Sequence, residues 1–477
     1  MRRWVALAVV VVLCGCHNDT RPLASSSSAG AASSSSSPAP GASASTAPPP
    51  TPTTASPLSF IAGCPDPGPL AAPDPNRPRY QAVLAIDPPS STVSGSMIVM
   101  FVPDLAVDEM VFRLWPNAPV PAASGARISV DAVTDNGTGQ PVATTLSDPT
   151  TLHVALGATA GSMLSVTLTF HATIPGNNDD RVAHADDTMR LGSFLPLLAW
   201  EPGFGWATEP ATSIHGEAAT SPAADYDVGV TVPAGYDVLG TGVRGADNHW
   251  RATAVRDVGF SVGHFDIAEQ DVAGVHVTVG VDRSVGEDPH HDLSLIADAL
   301  PNYEARFGAF PWTTYTVAMT PGFSGGIEFP LHVMQGPGSQ DRSVVHELAH
   351  QWFYSLVGND QARDPWLDEG MASYAEFVQI GSLQSHAGDR IAPAVRGHAG
   401  DPMTFWDDHA ADYYAGVYVQ SAEAVASLGS VDQVDCALRQ YVARNAFRVA
   451  RPSDIFAALA TVFPDPVGAL APAGLHP

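Results

Sequence analysis

Two histidines four residues apart, His346 and His350, enclose Glu347-Leu348-Ala349, and no other segment constrains the fold as tightly. Positions i and i+4 share one face of an α-helix, one turn apart. The spacing therefore predicts a helix, set by periodicity over about Gln340 to Leu356, whose two imidazoles grip one ion. Glu347, one step past the first histidine, reaches the same cleft without entering the coordination shell, close enough to act on a water there. Zinc in a catalytic site takes three protein ligands and keeps a fourth position open. After 18 intervening residues comes Glu369, in Trp366-Leu367-Asp368-Glu369-Gly370. A second helix expected over Trp366 to Gln379 brings its carboxylate across the first and completes a His, His, Glu set for one zinc ion. The bland alternatives are a surface helix with two solvated histidines and a metal site that has lost its activity.

The 477-residue chain exceeds what one hydrophobic core usually organises, which predicts two folded domains plus tails. Hydrophobic residues make up 45% and charged residues 15%, a globular balance, and the net charge of -27 with no basic run argues against nucleic-acid binding. Residues 1–15 read as an export signal: Arg2 and Arg3, then ten apolar residues from Trp4 to Leu13, too few to span a bilayer. Leu13-Cys14-Gly15-Cys16 resembles the bacterial lipoprotein cleavage box, with Cys14 unusual for its place. Its implication is a lipid anchor on Cys16 at the outer side of the cell membrane, the alternative being an ordinary secretion signal. Residues 16–58, mostly Ser, Ala, Pro, Thr and Gly, are expected to form a disordered tether. Cys64 and Cys436 are then the only cysteines of the folded region; they either join in an oxidising compartment or remain two inert thiols.

Residues 59–268 carry alternating runs such as Tyr80 to Ile86, Met163 to Phe170 and Tyr226 to Val232, punctuated by turns, and predict an antiparallel β domain. Residues 269–477 change pattern. A strand-like run at Val275 to Val279 precedes helical spacing from about His291 to Phe307, a strand at Thr314 to Met319, a glycine-rich turn, the two ligand helices and three further helical stretches up to Val462. The fold class is thus α+β and multidomain.

Two other motifs flank the metal pattern. Gly325-Gly326-Ile327-Glu328-Phe329-Pro330 places a carboxylate on a glycine-rich edge, suited to pairing with an ammonium ion, or else simply solvated in a turn. Tyr413-Tyr414-Ala415-Gly416-Val417-Tyr418 supplies phenols, either packed in the core or aimed at the site. His290, His291, His215, His264, His332 and His398 lack partners at ligand spacing and read as exposed or packing residues.

Together these residues resemble the aminopeptidase N family of zinc metallopeptidases, which includes the leukotriene hydrolase. The resemblance covers about Tyr80 to Phe463 and is strongest between Phe307 and Phe377. It implies zinc held by His346, His350 and Glu369, with Glu347 as general base and acid. Gly325, Gly326 and Glu328 match the family's Gly-x-Met-Glu motif, with Ile327 for Met, which implies that Glu328 binds the free α-amino group of a peptide. Tyr418 corresponds to the family's oxyanion donor, with Tyr413 as the backup; Val419-Gln420-Ser421 replaces the usual Glu-Lys-Gly stretch. Glu201, in Trp200-Glu201-Pro202, is a candidate for the second amine-binding acid. The family further implies a saddle-like β domain followed by a thermolysin-like catalytic domain. Only 59 residues follow Tyr418, so the long helical domain of larger members is expected to be missing.

The expected function is a zinc-dependent aminopeptidase acting on peptides outside the cytoplasm. The alternatives are a zinc endopeptidase or other hydrolase, and a silent lipoprotein that binds peptides. Side-chain preference and oligomeric state stay open at this level.

Overall fold

The alternating runs fold as strands with one buried face each. In the strand Arg79–Asp87, Tyr80, Ala82, Leu84 and Ile86 face the core and the residues between them face outward. The computed structural model describes residues 63–214, 220–386 and 388–477. The export signal, Cys14, Cys16, the tether and His215 lie outside the described residues.

An eight-stranded sheet runs in the order Val243–Arg244, His249–Val255, Ala224–Thr231, Arg79–Asp87, Thr92–Phe101, Leu164–Thr173, Arg127–Asp135, Gln140–Pro141. The expectation of a purely antiparallel β region needs correcting. Arg79–Asp87 and Ala224–Thr231 pair in parallel, in register from Arg79 opposite Asp225 to Ala85 opposite Thr231. Strands so distant in sequence are joined by no hairpin that would force them antiparallel. Tyr80 and Tyr226, opposite each other in this pair, stack at 4.4 Å. Two four-stranded sheets and a two-stranded pair, Trp200–Glu201 with Gly205–Trp206, complete the described β-rich part.

The next sheet has five strands, ordered Phe265–Val272, Val275–Asp282, Thr314–Met319, His332–Gln335, Gly326–Phe329. Its three middle strands are parallel and both edges antiparallel. The expected boundary after residue 268 falls inside Phe265–Val272, which forms a hairpin with Val275–Asp282 and so belongs to this second sheet. One hydrophobic core runs from the eight-stranded sheet through to the helices, and the described residues form one compact unit.

The helix expected from His291 spans Pro289–Phe307, capped by Asp288, whose carboxylate accepts from His290 N–H. The two helices expected around the metal motif are both shorter than their apolar spacing suggests. The first is Asp341–Ala349. Beyond it, Trp352 and Phe353 bury against Tyr303, Phe307 and Phe310 while the chain turns back, with Tyr354 at φ 135°. Aromatic residues packed in this turn continue the helical periodicity without continuing the helix. The second begins with a tight turn at Pro365–Leu367, and the α-helix runs only over Glu369–Gln379, its first N–H bonded to the Asp368 carboxylate. The further helical stretches include Gln420–Ala426, Val431–Asn445 and Pro452–Leu459. Among the described residues no helix is long and apolar enough to cross a membrane.

Cys64 and Cys436 are joined, tying the start of the described chain to the helix Val431–Asn445. Two hydrogen bonds lie beside the link, from Gln440 Nε2 to the Pro65 carbonyl at 2.7 Å and from Ala71 N–H to the Ala443 carbonyl at 2.8 Å.

Candidate active site

The helix Asp341–Ala349 turns His346 and His350 toward the first turn of Glu369–Gln379, where Glu369 stands. The Nε2 atoms of the two histidines face each other at 3.1 Å, and Glu369 Oε2 lies 3.1 Å from the first and 3.4 Å from the second. All three side chains are buried. The remaining ring nitrogens are engaged behind the site: His346 Nδ1 lies 3.1 Å from Glu376 Oε2, and His350 Nδ1 lies 3.0 Å from the Phe353 carbonyl. Both partners only accept, so each Nδ1 carries the hydrogen and each Nε2 keeps its lone pair. Two lone pairs and a carboxylate oxygen aimed at one another repel unless a cation lies among them. Tetrahedral zinc, with bonds of about 2.0–2.1 Å, holds its ligand atoms about 3.4 Å apart. The trio fits that geometry. Burial alone would depress the His346 imidazole, yet Glu369 and Glu376 outweigh it, so the field in this pocket favours positive charge. His346, His350 and Glu369 thus form a cluster that fits a zinc ion.

Glu376 and Phe353 had no part in the sequence reading. Glu376 does carry a signal, since it stands seven residues, two helical turns, beyond Glu369 and so on the same face. The Phe353 carbonyl has none, because a backbone atom is recruited only by the turn that ends the first helix.

Glu347 points to the same pocket as Glu328, and their carboxylates with a His350 ring nitrogen lie within 4.8 Å of one another. Burial, with Glu328 and Glu369 adding to it and the two histidines opposing, pushes the Glu347 carboxyl up to about 8. Its Oε2 is buried without a hydrogen-bond partner. Gly326 runs directly beneath: a Cβ there would lie 2.4 Å from Glu347 Cγ. Gly325 makes the preceding turn at φ 74°, in the left-handed region that glycine occupies freely. Glu328 is no solvated turn residue. It sits on the edge strand Gly326–Phe329, 4% exposed, and accepts from Gln361 Nε2 at 3.2 Å.

Tyr418 lies on a π-helical segment, Tyr414–Val419, a widened turn often found at functional sites. Its half-buried ring stacks along His346 at 5.7 Å, with planes 15° apart. Gln420 holds the segment, bonding the Gly397 N–H and the Gly416 carbonyl, and Gly416 allows the Trp406 ring to approach. Ser421 packs against Gly370 at the start of the second ligand helix. Tyr413, by contrast, is buried against Trp406.

Glu201 has a different setting from the one expected. Its Oε1 receives Arg451 and its Oε2 receives Arg363 at 3.1 Å, so both oxygens are committed and its charge is already balanced. A second amine acceptor is therefore better sought elsewhere. The other histidines behave as expected: His290, His291, His264 and His398 pair with Asp288, Asp341, Asp187 and Asp401 in exposed or half-exposed settings, and His332 is a buried packing residue bonded to Ser261.

Residues 339–399 match the peptidase family M1 domain. Aminopeptidase B of Mus musculus is 29% identical over 170 residues, 32% of this chain and 25% of that enzyme. Aminopeptidase N of Rattus norvegicus is 60% identical over 35 residues, 7% of this chain and 4% of the other. The matched part thus spans a quarter or less of these relatives. Among solved structures, an M1 zinc metallopeptidase from Deinococcus radiodurans superposes with a TM-score of 0.62 at 20% identity, covering 84% of this chain and 93% of that one. A variant from the same source bound to a Tyr-Ser-Ala substrate gives 0.60 at 19% identity, covering 84% and 94%. At these identities the likeness speaks for a shared fold alone.

Proposed function

The chain belongs to the aminopeptidase N family, peptidase family M1, and on that premise we propose that it is a zinc-dependent aminopeptidase that cleaves the first peptide bond of peptides outside the cytoplasm. The observation that carries the choice of the amino end is the buried Glu328 carboxylate, on a strand edge, sharing one pocket with Glu347 and His350. A peptide's α-ammonium ion is the natural partner for such a group, and holding it fixes the first carbonyl beside the metal site.

His346, His350 and Glu369 would hold zinc, which when bound would supply Lewis-acid chemistry toward a carbonyl and acidify nearby water. Glu347 takes a proton from the attacking water and returns it to the leaving amine, a task suited to a buried carboxyl raised toward neutral pH. Tyr418 donates its phenol to the oxygen on which negative charge grows. In this reading the residues before Phe265 form a saddle-like β domain, and those from the strand Phe265–Val272 onward form a thermolysin-like domain. The Cys64–Cys436 link supports an oxidising, extracytoplasmic setting, in line with export and lipid attachment at Cys16.

The test is a free-amine peptide beside its N-acetylated twin, each with and without a zinc chelator. Hydrolysis of the first alone, lost with chelator and restored by zinc, is the expected result. Equal cleavage of both twins would make the protein an endopeptidase, and stoichiometric zinc with no hydrolysis of any peptide would make it a silent binding protein.

A further inference from the structure

Gln361 is fully buried in the turn between the two ligand helices, and its amide joins two acids. Its Nε2 donates to Glu328 Oε1 at 3.2 Å and to Asp368 Oδ2 at 3.0 Å. Both neighbours are carboxylate oxygens, so the nitrogen must face them. Asp368 in turn accepts, through its other oxygen, the N–H of Glu369 at 2.8 Å. A continuous chain of bonds therefore runs from Glu328 through one side chain to the cap of the helix that carries a zinc ligand. Without the amide, two buried carboxylates would confront each other with nothing to hold them. Its carbonyl oxygen is buried and has no hydrogen-bond partner, which leaves a free acceptor attached to the Glu328 bridge. Glu201, with both oxygens taken by arginines, offers none.

We propose that Gln361 is the positioning residue of the amine-binding site, fixing the Glu328 carboxylate at a set distance from the zinc ligands through Asp368. The inference rests on the aminopeptidase reading and adds to it the part that sets the gauge. An ammonium held by Glu328 meets the scissile carbonyl at the metal only if that carboxylate cannot swing. Its role is exerted through Glu328, so losing it weakens capture of the free amine more than it slows the chemical step.

The experiment measures KM and kcat of zinc-loaded enzyme on an aminoacyl fluorogenic substrate, with zinc content read separately. Gln361→Leu is expected to raise KM roughly 10-fold, the scale of one charge-assisted hydrogen bond, with kcat changed less than KM and zinc stoichiometric. Gln361→Glu keeps the shape but loses the donors, and should show the same rise if the leucine variant fails to fold. In a Glu328→Ala background Gln361→Leu should add nothing to KM, because the group it positions has gone. A wild-type enzyme indifferent to N-acetylation overturns both this inference and the reading beneath it. Wild-type preference for free amines left intact by both Gln361 variants, or a KM effect that persists without Glu328, overturns this inference alone.

Discussion

A Cβ at Gly326 would lie 2.4 Å from Cγ and Oε1 of Glu347, so the edge strand and the proposed general base are in contact through a missing side chain. Real Cβ atoms do not approach that closely, and one of the two must move. Gly326→Ala is therefore expected to displace Glu347 and lower kcat by 10-fold or more while zinc stays bound, since a misplacement of about 1 Å costs about 10²-fold. Glu347→Gln serves as its reference, retaining zinc and losing turnover. Wild-type kcat in Gly326→Ala would show that Glu347 has room to spare.

The His346 ring depends on Glu376, whose Oε2 stands 3.1 Å from Nδ1 and whose Oε1 lies 3.6 Å from Arg342. Carboxylates in this position fix the tautomer and strengthen the ligand, and their loss typically costs about 10- to 100-fold in metal affinity or activity. Glu376→Leu should weaken zinc binding by that factor in a competition titration against a chromophoric chelator. Glu376→Gln, which keeps an acceptor, should fall between leucine and wild type. Equal affinities in all three proteins would reduce Glu376 to packing.

Tyr418 stacks along His346 within a π-helical turn, which sets its ring beside one member of the metal trio. Tyr418→Phe removes only the hydroxyl. Loss of one oxyanion donor commonly costs about 10²- to 10³-fold in kcat, and that drop, with KM nearly unchanged, is expected in steady-state assays. If Tyr413→Phe carries the drop instead, the assignment moves to the backup residue, against its burial on Trp406.

What could be read from the chain divides along the line between local and long-range causes. His346, His350 and Glu347 sit within one helical turn and a half, so their convergence follows from helix geometry alone, and Glu369 needed only a second helix nearby. Glu328 could be singled out from its glycines, but its burial comes from the strand Gly326–Phe329 pairing with His332–Gln335, which no local pattern announces. The parallel pairing of Arg79–Asp87 with Ala224–Thr231 and the capture of Glu201 by Arg363 and Arg451 join residues more than 100 positions apart. The end of the first ligand helix at Ala349 was hidden because Trp352 and Phe353 keep apolar spacing inside a turn.

Stability should respond to pH through Asp292, in the first turn of the helix Pro289–Phe307. Its side chain is buried, Oδ2 has no hydrogen-bond partner, and burial, aided by Glu287 and Asp341 against His291, pushes its carboxyl up to about 6. In the unfolded chain an aspartate titrates near about 3.9. The folded state thus binds the proton more tightly, so below about pH 4 Asp292 costs nothing, and as pH rises from about 4 to 6 the fold loses stability that it does not regain above. Two pKa units at about 1.4 kcal/mol each, less a fraction for the favourable helix N-terminus, put the loss at about 2 kcal/mol. Asp292→Asn removes this titration. In urea unfolding, its stability relative to wild type should improve by about 2 kcal/mol between pH 4 and pH 7; because both proteins are compared at each pH, zinc release in acid cancels. A constant difference across that range would mean that Asp292 ionises in the fold as freely as it does in the open chain.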